Sequence, residues 1–191
     1  MFAARGWLLE RDAYFSRYLG YDDRGLIDAF ARDHDLRVSA SDANALFAEK
    51  SDAYRARLTT GGVLYAGASA CIARLRGRFR LAIATGSLRA EVIDILEAGG
   101  LRSAFEVVVA ADDGVEAKPS PAPYIAAASR LGVAPGQCLA IEDSPGGLGS
   151  AIAAGLRTIG ITTTRPRRDL SRANHVVDTL DEITVELIES L

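Results

Sequence analysis

From Arg80 onward the sequence repeats one alternation, a short run of apolar residues followed by an amphipathic stretch and then another apolar run. The runs are Leu81-Ala82-Ile83-Ala84, Phe105-Glu106-Val107-Val108-Val109-Ala110, Cys138-Leu139-Ala140-Ile141 and Thr158-Ile159-Gly160-Ile161. Runs this short and this apolar read as strands covered on both faces. Between them, residues 68–76, 89–98, 121–131 and 147–154 carry apolar residues at helical spacing, each closed by Gly or a polar turn. Strands alternating with helices build βαβ units around a parallel sheet, so the expected fold class is α/β, with a Rossmann-like parallel sheet. The segment His175-Val176-Val177-Asp178 and a helix around Ile183, Leu187 and Leu191 complete this unit, residues 64–191.

Residues 1–63 differ in kind. All six prolines fall at or after position 119, and in this first part Leu26, Ile27 and Phe30, then Ala45, Leu46, Ala48 and Tyr54, recur three or four apart. That spacing predicts a small helical domain over 1–63. A length of 191 residues, 49% of them hydrophobic, suits one domain carrying a small insertion. With 22 basic against 25 acidic residues, a net charge of -3 and no long basic block, a nucleic-acid partner is not expected. The opening residues contain no apolar run long enough for a signal peptide or a spanning helix, so no membrane association is expected. Cys71 and Cys138 stand far apart with no CxxC pair or nearby His, which points to a reducing, cytoplasmic setting without a zinc site. A monomer is expected.

In an open parallel α/β sheet, ligands bind beyond the carboxyl ends of the strands. Three strand ends carry polar residues. Thr85-Gly86-Ser87 gives two hydroxyls and a flexible backbone immediately before a helix, the outline of a phosphate cradle; the same segment also reads as a helix capped by Ser87. Lys118-Pro119-Ser120-Pro121-Ala122-Pro123 holds a lysine on a stiff loop, with Pro121 starting the next helix. Such a lysine can neutralise a phosphoryl oxygen, although a single lysine on a loop is also commonly just solvated. Glu142 and Asp143 end an apolar strand ahead of Ser144-Pro145-Gly146-Gly147. Paired carboxylates there suit Mg2+, which takes oxygen ligands and keeps waters for a substrate phosphate; the alternative is that Asp143 or Ser144 merely caps the helix.

Taken together, these motifs resemble the haloacid dehalogenase-like hydrolases, in the phosphatase and β-phosphoglucomutase-like branch with a helical cap. The run Glu142-Asp143-Ser144-Pro145-Gly146-Gly147, continuing to Ala153-Ala154-Gly155, is especially similar. The resemblance implies that Thr85 and Lys118 are catalytic groups, that Thr85, Gly86, Ser87 and Lys118 bind the phosphoryl group, and that Glu142 and Asp143 hold Mg2+. In the helical part, Tyr18-Leu19-Gly20-Tyr21-Asp22-Asp23-Arg24 resembles the loop that this branch lays over its substrate, which implies cap contacts from Tyr21, Asp22, Asp23 and Arg24. Lys50 resembles a cap lysine facing the site. A solvated loop and a solvated helix lysine are the plainer readings of these last two features.

One motif of the family has no match. The resemblance implies a first strand ending in Asp-x-Asp, whose first Asp attacks phosphorus to form an aspartyl-phosphate while the second moves the proton. The only Asp-x-Asp here is Asp33-His34-Asp35, which follows a helical pattern and leads into no glycine turn, so it is expected to be a surface loop of the cap. In the family the missing strand is the central one, between the strands ending at Thr85 and Asp143. The expectation is therefore a sheet lacking its central first strand, with those two strands either facing each other across a space or paired after collapse. The function implied is a Mg2+-dependent phosphatase acting on a small phosphorylated metabolite, a sugar phosphate among the candidates, that does not turn over as this chain alone. Two alternatives stand beside it: a phosphomutase of the β-phosphoglucomutase type, and a non-catalytic relative that binds phosphate or a partner. A dehalogenase or phosphonate hydrolase with Lys50 as an imine former is disfavoured by the acid pair.

Overall fold

The computed structural model describes residues 2–18, 21, 23–60 and 64–191, with only the backbone of 15–16 and 57–60. Its first part is helical: α1 (Arg11–Ala13) runs into a wider turn over Tyr14–Tyr18, followed by α2 (Asp23–Asp33) and α3 (Ala40–Thr60). Their apolar stripes meet in a small core in which Tyr18, Phe30 and Leu46 are almost fully buried, and Phe2 and Trp7 pack against it. The Asp33-His34-Asp35 segment closes α2, and Asp33 accepts a hydrogen bond from the Tyr18 hydroxyl at 2.8 Å.

The second part alternates as its sequence pattern predicts. In order come α4 (Ala68–Leu75), β1 (Ala82–Ala84), α5 (Arg89–Ala98), β2 (Val107–Val109), α6 (Ala122–Leu131), β3 (Leu139–Glu142), α7 (Pro145–Ala153), β4 (Arg157–Ile161), β5 (His175–Val177) and α8 (Val185–Ser190). All strand pairing is parallel. β1 pairs with β2, Ile83 opposite Val108, and β3, β4 and β5 form a second sheet in which Ile141 faces Ile159 and Ile159 faces His175. The α4 and α8 side chains Cys71, Leu75 and Ile188 bury Ile159, Ile161 and Val177 from one side, while Tyr124, Ala151 and Ala154 cover Ala140 from the other.

Among the described residues no strand joins the two sheets. Between the inner edges of β1 and β3 lies a cleft of about 590 Å³, lined by Phe79, Leu81, Ile83, Leu139, Ile141 and Tyr124 among others. Ile141 sits mid-strand yet is 37% exposed. Of the two arrangements expected for these strands, the structure shows the open one.

Candidate active site

Each polar strand end is shaped by its local sequence. Thr85 extends the β1–β2 ladder, its amide donating to Val109 O at 2.9 Å, and its Oγ1 then accepts the Ser87 amide at 3.1 Å. The turn is thus held by the Thr85 side chain. Ser87 does not cap α5; the N-cap position is Leu88, and Asp112 Oδ1 takes the Arg89 amide at 2.9 Å instead. Gly86 and Thr85 line a cavity of about 20 Å³ together with Lys118, room for about one water.

The loop after β2 carries Lys118 back across the sheet through a cis Lys118–Pro119 peptide, and Pro121 stands at the N-cap of α6. The ammonium donates to Ala84 O at 3.0 Å, to the Tyr124 hydroxyl at 3.2 Å, and to Glu142 Oε1. It therefore spans the carboxyl ends of β1 and β3. Glu142 is only 8% exposed and also accepts from the Tyr124 hydroxyl, so this carboxylate is braced by two donors. Burial and the Glu142 charge push the Tyr124 phenol far above its ordinary range, so it stays a proton donor.

Ser144 caps α7, its Oγ accepting the Gly147 amide at 3.1 Å, which meets one of the two plain readings of that segment. Gly147 has a second reason to lack a side chain, because a Cβ there would lie 2.1 Å from Glu142 Oε2. Asp143 follows Glu142 at the end of β3 and feels the charges of that brace. Burial, then the neighbouring Glu142 charge, raises its carboxyl above the usual carboxylate range, while Thr164 and the Lys118 charge pull only partly the other way. Among the described residues no basic side chain forms an ion pair with Asp143.

On the cap, Lys50 Nζ lies 2.9 and 2.7 Å from the two carboxylate oxygens of Asp23 and 3.1 Å from Glu91 Oε2 in α5. Burial pulls the Lys50 ammonium down, but the Asp23 and Glu91 carboxylates outweigh it and leave its pKa raised. Tyr21 is half exposed, and Arg24 starts α2 beside Asp23. Asp22 lies outside the described residues, as do Leu19 and Gly20. The structure thus brings Thr85, Gly86, Ser87, Lys118, Glu142 and Asp143 to one edge of the sheet, and places Lys50 with Asp23 against the first turn of α5. Three contributors give no signal in sequence. Tyr124 reads as one more apolar residue of α6, Glu91 as an ordinary first-turn acid, and Tyr14 as part of an apolar stripe. Tyr14 is half-buried; burial raises its phenol, which feels the charges of Lys50 and Asp23 on the cap and of Asp143 on the sheet.

Residues 2–155 match the family model of the haloacid dehalogenase-like hydrolases. The chain belongs to that family. Among curated relatives, protein CbbY of Rhodobacter capsulatus is 40% identical over 117 residues, 59% of this chain and 51% of CbbY. The fructose-1-phosphate phosphatase YqaB of Escherichia coli is 35% identical over 66% of this chain and 67% of its own length. The chain thus spans about half the length of CbbY. Among solved structures, CbbY from Rhodobacter sphaeroides, in complex with phosphate, superposes with a TM-score of 0.83 at 30% identity, covering 95% of this chain and 84% of that one. A β-phosphoglucomutase from Clostridium difficile gives 0.86 at 20% identity, over 98% of this chain and 84% of that one, a likeness of fold. No helix among the described residues is long and apolar enough to cross a membrane.

Proposed function

We propose that this hydrolase-family chain acts in Mg2+-dependent phosphoryl transfer, as a phosphatase of small phosphorylated metabolites, with sugar phosphates the leading class. The observation that carries the reading is the Lys118 ammonium, which touches Ala84 O and Glu142 at once and so draws the Thr85 loop and the Glu142-Asp143 acids to one mouth. The relatives point the same way, since one is a fructose-1-phosphate phosphatase and a solved CbbY is a complex with xylulose-(1,5)bisphosphate.

Two carboxylates, Glu142 and Asp143, stand side by side at a strand end, and among the described residues no third acidic, His or Cys side chain joins them, so Mg2+ there would take its other ligands from waters and substrate. Asp143 would be the principal ligand, with Glu142 behind it. Bound there, Mg2+ supplies charge neutralisation for phosphoryl oxygens. The chain's own groups do the rest. Thr85 Oγ1 is occupied as an acceptor by the Ser87 amide, so the hydroxyl keeps its proton to donate to a phosphoryl oxygen. Lys118 adds a fixed positive charge, preorganised by Tyr124 and Glu142 so that it need not reorient as charge develops. Tyr21, Asp22 and Arg24 would face the substrate from the cap, while Lys50 and Asp23 hold each other against Glu91 of α5.

The attacking carboxylate has no counterpart in these 191 residues. The cleft between β1 and β3 supports its arrival on an extended strand lying between them, ending in Asp-x-Asp beside Lys118. Without an in-line nucleophile, charge stabilisation leaves the slow step to water, at a cost of several orders of magnitude in rate. The test compares the 191-residue chain with a version joined at its N-terminus to an apolar strand ending in Asp-x-Asp. Negligible hydrolysis of p-nitrophenyl phosphate and sugar phosphates is expected from the first. Turnover is expected from the second, most of it lost in Asp143→Asn. Release of orthophosphate separates a phosphatase from a phosphomutase, which would yield an isomeric sugar phosphate. A joined chain that binds phosphate without turnover would favour the non-catalytic alternative. Robust turnover by the short chain, persisting in Asp143→Asn, would overturn the roles assigned.

A further inference from the structure

Of the 22 basic residues 20 are arginine, and Lys50 and Lys118 are the chain's only lysines. Both stand on carboxylates that are almost fully buried, Lys118 on Glu142, 8% exposed, and Lys50 on Glu91, 6% exposed. Glu91 lies in the first turn of α5, the helix that leaves Thr85-Gly86-Ser87, and both of its oxygens are taken by the cap. Oε2 accepts from Lys50 Nζ and Oε1 from Ser51 Oγ, each at 3.1 Å. The same ammonium reaches both oxygens of Asp23 at 2.9 and 2.7 Å. One side chain thereby ties α2 and α3 of the cap to a core helix.

The chemistry of the pairing explains the choice of lysine. Three acceptor oxygens converge on a single point, which a compact ammonium with three rotatable donors satisfies and a planar guanidinium fork does not. A few residues along the same seam, Arg55 approaches Asp94 at 3.5 Å, but there both partners are well exposed and the pair contributes little. The seam also carries a charge imbalance, since two carboxylates meet one ammonium. A buried pair of that kind is a poor way to gain stability compared with apolar packing. It does fix geometry.

We propose that Glu91 is a positioning residue: it fixes the Lys50 ammonium at the junction and so seats the cap on α5, one helical turn from the Thr85 loop. Only the naming of that loop as a phosphate cradle rests on the proposed function; the seating does not. Glu91 touches no reacting atom and acts through Lys50.

Having two lysines makes the test direct, because a lysine ammonium gives a sharp proton–nitrogen cross-peak only when hydrogen bonds slow its exchange with water. The unmodified chain should show two such side-chain peaks, one from each lysine. Glu91→Gln should shift and broaden the Lys50 peak, which keeps its Asp23 bonds, spare that of Lys118, and speed amide hydrogen exchange over residues 40–56 of α3 by about tenfold while leaving β3, β4 and β5 unchanged. Exchanging the charges, Lys50→Glu with Glu91→Lys, keeps one ammonium among two carboxylates. It should restore an ammonium peak and bring α3 exchange back to within about twofold of the original. An unmoved Lys50 peak together with unchanged α3 protection in Glu91→Gln would overturn the proposal. So would a charge exchange that restores neither, which would mark Glu91 as a purely structural group. Should Glu91→Gln not fold, Ser51→Ala removes the partner of the other oxygen; a shifted Lys50 peak supports the proposal and an unmoved one overturns it. Neither readout needs turnover or a bound phosphate, so failure of the phosphatase reading and failure of this one are separate results.

Discussion

The two pieces of the sheet are built from similar apolar runs and yet differ in how well they are enclosed. In the β3–β4–β5 piece Ile159 and Val177 have no exposed surface and Ala140 has 5%, whereas every residue of β1 is only half-buried. β4 has a hydrogen-bonded neighbour on each side and helices over both faces. β1 has β2 on one side and the open cleft on the other. Across that cleft Ile141 shows the same effect from β3, the edge strand of the other piece, where it is exposed mid-strand. A parallel strand owes its burial to neighbours at both edges as much as to its own side chains. The β1–β2 piece therefore leans on other supports. One is Asp113 just after β2, where Arg89 Nη2 at 2.6 Å and Arg130 Nη1 grip a buried carboxylate and Arg89 also donates to Val108 O at 2.9 Å.

The largest expected effect breaks the enclosed piece. Ile159→Ala should cost about 2–5 kcal/mol, because Ile159 is fully buried and its neighbours are held from both faces. The matching change in the open piece, Ile83→Ala, should cost about 1–2 kcal/mol, since the half-buried Ile83 side chain already borders the cleft. Urea denaturation of both variants measures the contrast, and equal losses would mean that the cleft is closed in solution. The next effect lies at the boundary between the pieces. Gly147→Ala places a methyl 2.1 Å from Glu142 Oε2, so the carboxylate must shift away from Lys118 and Tyr124, at about 1–3 kcal/mol. An unchanged denaturation midpoint would show that the Glu142 brace is not formed.

The smallest effect concerns pH and the open piece. The Asp113 carboxyl is held below its ordinary value of 3.8, first by the Arg130 hydrogen bond and then by Arg89, against the opposing effect of burial. A carboxylate whose folded pKa is depressed contributes stability that is present above the unfolded value and is lost as pH falls through the folded one. Acidification below 3.8 should therefore weaken the native chain, and Asp113→Asn should flatten that part of the stability curve while lowering stability at neutral pH. Denaturation midpoints collected from about pH 2.5 to 7 test the slope. An identical acid limb in both proteins would remove Asp113 from the supports of the β1–β2 piece.

Read along the chain, the apolar runs located every strand. Each of β1 to β5 lies within or beside the run that predicted it, because a strand covered on both faces must be apolar throughout and little else in a polar chain looks like that. Ser144 was legible as a cap from its place before Pro145, whereas Ser87 was not the cap its position suggested, since Thr85 takes its amide and Asp112 takes that of Arg89. Thr85, Lys118, Glu142 and Asp143, the residues proposed for phosphate and metal chemistry, were likewise marked by following apolar runs or their adjoining loops.

Sequence by itself thus determined the strand–helix alternation and which strand ends carry polar residues, since both follow from local periodicity and from polar residues at run ends. Tertiary structure decided the partners. That Lys118 bridges Ala84 O and Glu142, that Tyr124 completes the brace, and that Glu91 takes Lys50 from the cap all depend on contacts between residues 18 to 41 positions apart. Periodicity is a property of neighbours along the chain, and a buried ion pair is a property of neighbours in space, fixed only once helices have packed on both faces of the sheet.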